Sequence, residues 1–213
     1  TAAGALSFKD GCYVIRRRGI YMEQAVPEGQ GSMAAVLGLS AKQTEEVLKT
    51  SLDTAKIGIA NYNCPGQIVI SGETKAVEKA GESLKEAGAR RVVPLKVSGP
   101  FHSYMLKEAG EKLLNVLEEV KINEPSVPYV ANTTADFVTE AGMVKELLGK
   151  QVYSSVRWEQ SVEKMLEDGA DTFIEIGPGK TLSGFVKKVN RKVKIINIEK
   201  VEDLEKLKEV TSC

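Results

Sequence analysis

The feature that most constrains this chain is the order of elements between residues 32 and 97. Short apolar runs at 32–39, 56–62, 67–71 and 91–97 read as strands, and helical patterns at 41–49 and 74–87 fall between them. Ser40 followed three residues later by Gln43 forms a capping box that starts the first of these helices. Asn63-Cys64-Pro65-Gly66 has the composition of a tight connection, so the strands on either side of it are expected to pair as neighbours. The order is β-α-β-β-α-β, the ferredoxin-like sequence of elements.

The flanks follow a different pattern. Phe8, Cys12, Ile15, Gly19 and Met22 recur at helical intervals, which predicts a helix over 10–24 with these residues as its inward stripe and Arg16, Arg17 and Arg18 fanned around it. Pro27-Glu28-Gly29-Gln30-Gly31 then connects to the central unit. After Gly99-Pro100 a helix is expected over 103–119, with Met105, Leu106, Leu113, Leu114 and Leu117 toward a core. A strand at 127–131, a helix at 141–148, a strand at 172–176, a helix at 181–189, a strand at 192–198 and a helix at 202–210 complete an α/β alternation.

Charge and composition exclude several functions. Apolar residues are 42% of the 213, dispersed among 29 basic and 29 acidic side chains, and no apolar run approaches the ~20 residues that span a bilayer. A formal net charge of zero gives no reason to expect a nucleic-acid binder. Cys12, Cys64 and Cys213 are too few and too irregular for a disulfide framework, and with no CxxC pair there is no zinc or iron–sulfur signature. A reducing, cytoplasmic setting and no metal site are therefore expected. The amino end lacks an initiating Met and a basic leader, so it reads as cut.

Few residues suggest chemistry. His102 is the sole histidine and stands where a strand gives way to a helix; its type permits proton transfer near neutral pH, and equally a structural hydrogen bond. Ser103 is expected to cap the following helix. One arginine of Arg16-Arg17-Arg18 could hold an anionic group by a bidentate contact, with solvated helix charges as the other reading, and the residues alone do not say which arginine. Asn61 and Asn63 could line a cleft or satisfy a loop. Gly177-Pro178-Gly179-Lys180 lacks the spacing and the Lys-Ser/Thr ending of a phosphate-binding P-loop and reads as a turn.

Taken in order, Ala3-Gly4-Ala5-Leu6-Ser7-Phe8, Arg17-Arg18-Gly19, Ala60-Asn61-Tyr62-Asn63-Cys64-Pro65-Gly66-Gln67, Gly99-Pro100-Phe101-His102-Ser103, Gln151-Val152-Tyr153, Val156-Arg157-Trp158-Glu159 and Glu175-Ile176-Gly177-Pro178-Gly179-Lys180 resemble the bacterial malonyl-CoA:acyl-carrier-protein transacylases across nearly the whole chain. The resemblance implies a hydrolase-like α/β large domain, here 1–31 and 98–213, with a ferredoxin-like subdomain, 32–97, inserted into it and the active site between them. Complete members also carry upstream Gly-Gln-Gly and Gly-His-Ser-Leu-Gly segments. Neither occurs here, so the nucleophilic serine and the amino-terminal segment bearing it are expected to lie before Thr1, and the isolated chain to be inactive and poorly stable.

For a complete protein the resemblance implies malonyl transfer from coenzyme A to the phosphopantetheine thiol of acyl carrier protein through a serine ester, in fatty acid synthesis and with no tightly bound cofactor. His102 would be the general base, the Gln151 main-chain carbonyl would orient it, and Arg18 would hold the malonyl carboxylate. Phe101 would restrict the acyl group, and Asn61 and Asn63 would face the cleft. A noncatalytic acyl-carrier-binding fragment and an acyltransferase with another acyl preference are the alternatives.

Overall fold

The computed structural model describes residues 1–51 and 53–208. Helix α1 (Phe8–Ala25) leads into β1 (Gly31–Leu37), α2 (Ala41–Ser51), β2 (Ile57–Cys64), β3 (Gln67–Glu73), α3 (Thr74–Glu86) and β4 (Arg91–Pro94). A 3-10 turn (Tyr104–Leu106) opens α4 (Lys107–Glu118). Next come β5 (Tyr129–Ala131), β6 (Asp136–Val138), α5 (Ala141–Gln151), β7 (Val156–Arg157), α6 (Trp158–Glu167), β8 (Thr172–Ile176), α7 (Thr181–Val189), β9 (Lys194–Ile198) and a 3-10 segment, Val201–Leu207. The result is a mixed α/β architecture with several sheets.

The expected β-α-β-β-α-β order is present, and its strands lie side by side as β4-β1-β3-β2 with every pairing antiparallel. The capping box at the start of α2 forms as read: the Ser40 N–H donates to Gln43 Oε1 at 3.0 Å and the Gln43 N–H to Ser40 Oγ at 3.3 Å. Val36, Ile59, Tyr62, Ile68 and Ile70 form one face of this sheet and pack with Leu48 of α2 and Val77, Ala80 and Leu84 of α3. Each fully buried Ile or Leu here contributes about 1.5–3 kcal/mol relative to exposure.

The sheet does not stop at the four strands read from the sequence. β7, which comes after α5, adds a fifth, parallel to β2, through Asn61↔Val156 and Tyr62↔Arg157. A two-residue strand has no periodicity to betray it, and neither β7 nor α6 nor β6 was anticipated. β8 and β9 form a separate parallel pair, and β5 and β6 a hairpin.

Three readings are corrected. In α1 the buried residues are Val14 and Met22, with Tyr21 and Ala25 partly buried, while Phe8, Cys12, Ile15 and Gly19 lie outside. Apolar residues occupy more than one face of this helix, so period alone could not choose; packing against Leu106, Ala109, Leu113, Val116 and Leu117 does. At the start of the 103–119 segment, Ser103 does not cap with its side chain: its buried hydroxyl donates to the Pro100 carbonyl at 2.7 Å, and the α-helix proper begins at Lys107. At the carboxyl end the expected 202–210 helix is a 3-10 segment over Val201–Leu207; residues 209 and 210, like Cys213, lie outside the described residues.

Candidate active site

His102 is delivered by a bend that follows β4. The Leu95 N–H donates to the Met33 carbonyl at 2.9 Å, Pro100 is fully buried, and the Phe101 N–H donates to the Gly99 carbonyl at 3.0 Å. His102 itself takes a left-handed backbone, φ 57°, which costs a residue with a Cβ about 1–3 kcal/mol and is sustained by the packing on either side. The Ser103–Pro100 bond closes the bend.

The imidazole meets the end of another helix. Gln151 is the last residue of α5, where main-chain carbonyls have no partner within the helix, and its carbonyl lies 2.9 Å from His102 Nδ1. A carbonyl only accepts, so at this contact Nδ1 carries the proton, with the Gln151 side-chain Nε2 farther off at 3.4 Å, and in the neutral ring His102 Nε2 is the basic nitrogen. Burial pushes the His102 pKa below its ordinary value, and the Arg18 charge adds to this; the Gln151 and Ser154 main-chain contacts oppose it without cancelling it. The ring is therefore neutral and basic at neutral pH.

Nearby lies a cleft of about 570 Å³ whose walls include Arg18, Asn61, Phe101 and His102 along with Met22 and Met33. The three arginines part company here. Arg16 is exposed, and Arg17 donates to the Tyr21 hydroxyl at 2.7 Å with its guanidinium 5.0 Å from that ring's centre. Arg18 enters the cleft, where burial lowers its pKa. Asn61 arrives through an irregularity in β2 between Ile59 and Asn61: Ile59 and Tyr62 both face the helices, which leaves Ala60 and Asn61 in succession on the opposite side. Phe101 packs against Met33, Ala60 and Val69 of that side. Asn63 does not line the cleft.

A second cleft, about 430 Å³, shares His102 as a wall and is polar, with Thr133, Ser154, Ser155 and Arg157 among its residues. The Arg157 guanidinium lies 5.5 Å from the centre of the Tyr62 ring, whose hydroxyl donates to Glu45 at 2.8 Å; burial and Glu45 push the Tyr62 pKa up to about 12. Arg157, in the Val156-Arg157-Trp158-Glu159 segment, takes its place in this cleft through the fold, with no local pattern that marks it. The Ser155 hydroxyl donates to the Ile59 carbonyl at 2.6 Å, so this serine, like Ser103, is engaged with main chain.

Gly177-Pro178-Gly179-Lys180 is a turn, with Gly177 at φ 136° and Gly179 at φ 84°. The start of α7 beyond it is filled by the chain's own carboxylate: Glu175 accepts from the Leu182 and Ser183 N–H groups at 3.1 and 2.8 Å and from Asn197 at 3.0 Å. Burial raises the Glu175 pKa, but the bonds from Ser183, Leu182 and Asn197 outweigh it and hold the carboxyl below its usual range. Among the described residues no group of three or more His, Cys, Asp and Glu side chains could hold a metal ion, and no helix is long and apolar enough to cross a membrane.

Residues 1–208 match the family described as the acyl transferase domain. The malonyl CoA-acyl carrier protein transacylase of Bacillus subtilis (strain 168) is 52% identical over 205 residues, which are 96% of this chain and 65% of that protein. The crystal structure of malonyl CoA-acyl carrier protein transacylase from Clostridium perfringens superposes with a TM-score of 0.92 at 45% identity, covering 98% of this chain and 66% of that one. A malonyl-transacylase in complex with its type II PKS acyl-carrier protein superposes with a TM-score of 0.93 at 35% identity, covering 98% and 68%. The chain thus spans about two thirds of the length of these relatives. It belongs to the acyl transferase domain family, as a relative of the bacterial malonyl CoA-acyl carrier protein transacylases.

Proposed function

We propose that the protein containing this chain moves a malonyl group from coenzyme A to the phosphopantetheine thiol of acyl carrier protein, in the cytoplasm and in the service of fatty acid synthesis. The observation that carries this reading is a basic Nε2 on His102, fixed by the Gln151 carbonyl, with Arg18 in the same cleft. In this reading residues 32–97 are a ferredoxin-like subdomain, which the β4-β1-β3-β2 strand order supports. Residues 1–31 and 98–213 belong to a hydrolase-like large domain, and β7 stitches the two together.

The chemistry is an exchange of one thioester for another through an ester. A serine from outside these 213 residues attacks the malonyl carbonyl; its proton passes to His102 Nε2, the carbonyl oxygen takes the negative charge, and the coenzyme A thiol leaves with the proton. The phosphopantetheine thiol then gives its proton to Nε2 and attacks the ester, and the serine is restored. The Nδ1–H bond to Gln151 holds the ring's aim through both steps. Arg18 pairs with the free carboxylate of the malonyl group. Asn61 and Phe101 shape the rest of the acyl site, while Asn63 has no cleft contact to support a part in it.

The test is transfer of radiolabelled malonyl from coenzyme A to acyl carrier protein by the complete protein and its His102→Ala variant. The variant is expected to lose about 10²–10⁴-fold in rate while still folding. Retained transfer would overturn the assignment of His102, and a complete protein that binds acyl carrier protein but never carries a malonyl ester would leave a noncatalytic binding role.

A further inference from the structure

The His102–Gln151 hydrogen bond joins the bend that leads into α4 to the end of α5. His102 lies just before the turn that opens α4, and Gln151 closes α5. The length of the bond therefore depends on how closely α4 and α5 approach, and glycines make that contact. A methyl group at Gly110 of α4 would lie 2.8 Å from the Gly149 carbonyl oxygen of α5, and 2.6 and 2.7 Å from Cδ1 and Cε1 of Tyr153. Real Cβ contacts essentially never fall under 3.0 Å, and a main-chain carbonyl inside a helix cannot swing aside. Gly149 is the reciprocal case with a softer obstacle, since the nearest atoms a methyl there would meet are Leu114 side-chain atoms, Cγ at 2.6 Å among them. Leu114 is half-buried, and its side chain, unlike a helix carbonyl, turns about its own χ angles.

We infer that Gly110 is a positioning residue for His102: with no side chain between the helices, α5 seats deeply enough on α4 for the Gln151 carbonyl to reach Nδ1. Any larger residue drives the end of α5 outward. An opening of roughly half an ångström carries a 2.9 Å bond beyond the 2.7–3.2 Å range of a good N–H···O contact. Nδ1 then loses its fixed acceptor, the proton distributes between the two ring nitrogens, and Nε2 is no longer held as the bare base. The importance of this for catalysis rests on the reading of His102 as general base; the packing argument itself does not.

The experiment uses the complete protein labelled with ¹⁵N-histidine, the His102 signals being assigned by their loss in His102→Gln. The parent protein is expected to show the Nδ1–H tautomer. Gly110→Ala is expected to show a mixed tautomer, with kcat for malonyl transfer lowered about 10- to 100-fold and KM for malonyl-CoA within about twofold. Gly149→Ala should show the same change in smaller measure, and Gly149→Ala/Leu114→Ala, which removes the atoms the new methyl meets, should restore the parent signature. A folded Gly110→Ala protein with an unchanged tautomer overturns the inference, as does a fall in kcat that leaves the tautomer intact. Should Gly110→Ala fail to fold, the Gly149 pair decides by the same two criteria. If the parent protein transfers no malonyl, the proposed function fails while the tautomer comparison still decides the positioning role.

Discussion

The two faces of the five-stranded sheet are built from the same strands and do different work. One face is a closed core: Val36, Ile68 and Ile70 are wholly buried and lock against Leu84 of α3. The other face carries the small cluster of Met33, Ala60 and Val69, partly covered by Phe101, and opens beside Asn61 into the cleft that holds His102 and Arg18. The first face makes the sheet stable; the second holds a smaller buried cluster and leaves a cleft open beside it. The irregularity in β2 lets a strand serve both, because it turns Asn61 away from the helices while Ile59 and Tyr62 stay among them.

This difference can be broken by substitution. On the packed face, Ile70→Ala is expected to cost about 2–5 kcal/mol in chemical denaturation of the complete protein, because it leaves a cavity in a closed core. The rate per folded molecule should not change, and a selective loss of rate would mean that the faces are not separable. On the open face the stability effect should be small and the functional one visible. Phe101→Ser is expected to raise methylmalonyl use relative to malonyl, read as the ratio of the two kcat/KM values, by an amount worth about 1–3 kcal/mol. A ratio that stays level or falls would remove Phe101 from the acyl site. The smallest effect is in pH. Burial, with Arg18 beside the ring, holds the His102 pKa below its ordinary 6.5, so the imidazole stays deprotonated to lower pH, and the acidic limb of the kcat/KM profile should fall below 6.5 if His102 is the general base. Ile70→Ala should leave that limb where it is, and a limb above 6.5 would contradict the burial argument.

The packed face was also the more legible in the sequence. Its strands and helices carry their own periodicity, their own capping box at Ser40 and Gln43, and a Pro-Gly connection at Pro65-Gly66, so each local signal agreed with the fold. α1 was placed but turned wrongly, since its inward face is chosen by α4, far along the chain. β7 could not be read at all, because Val156 and Arg157 become a strand only by lying against β2. At the site, His102 drew notice by its type, whereas nothing local separated Arg18 from Arg16 and Arg17; the resemblance picked Arg18 out, and it is the arginine that lines the cleft. Gln151 contributes a main-chain carbonyl, a group every residue has, so its side chain carried no signal for that contact.

The central claim is that this cleft recognises an acyl group by its free carboxylate and that Arg18 does so. The direct measurement is the initial rate of transfer from malonyl-CoA and from acetyl-CoA by the complete protein and its Arg18→Ala variant. Losing the charge-assisted pair should cost the malonyl reaction about 1.5–3 kcal/mol, or roughly one to two powers of ten, while the acetyl reaction, which has no carboxylate to pair, keeps its rate. An equal loss with both thioesters would contradict the claim and leave Arg18 as part of the scaffold around His102.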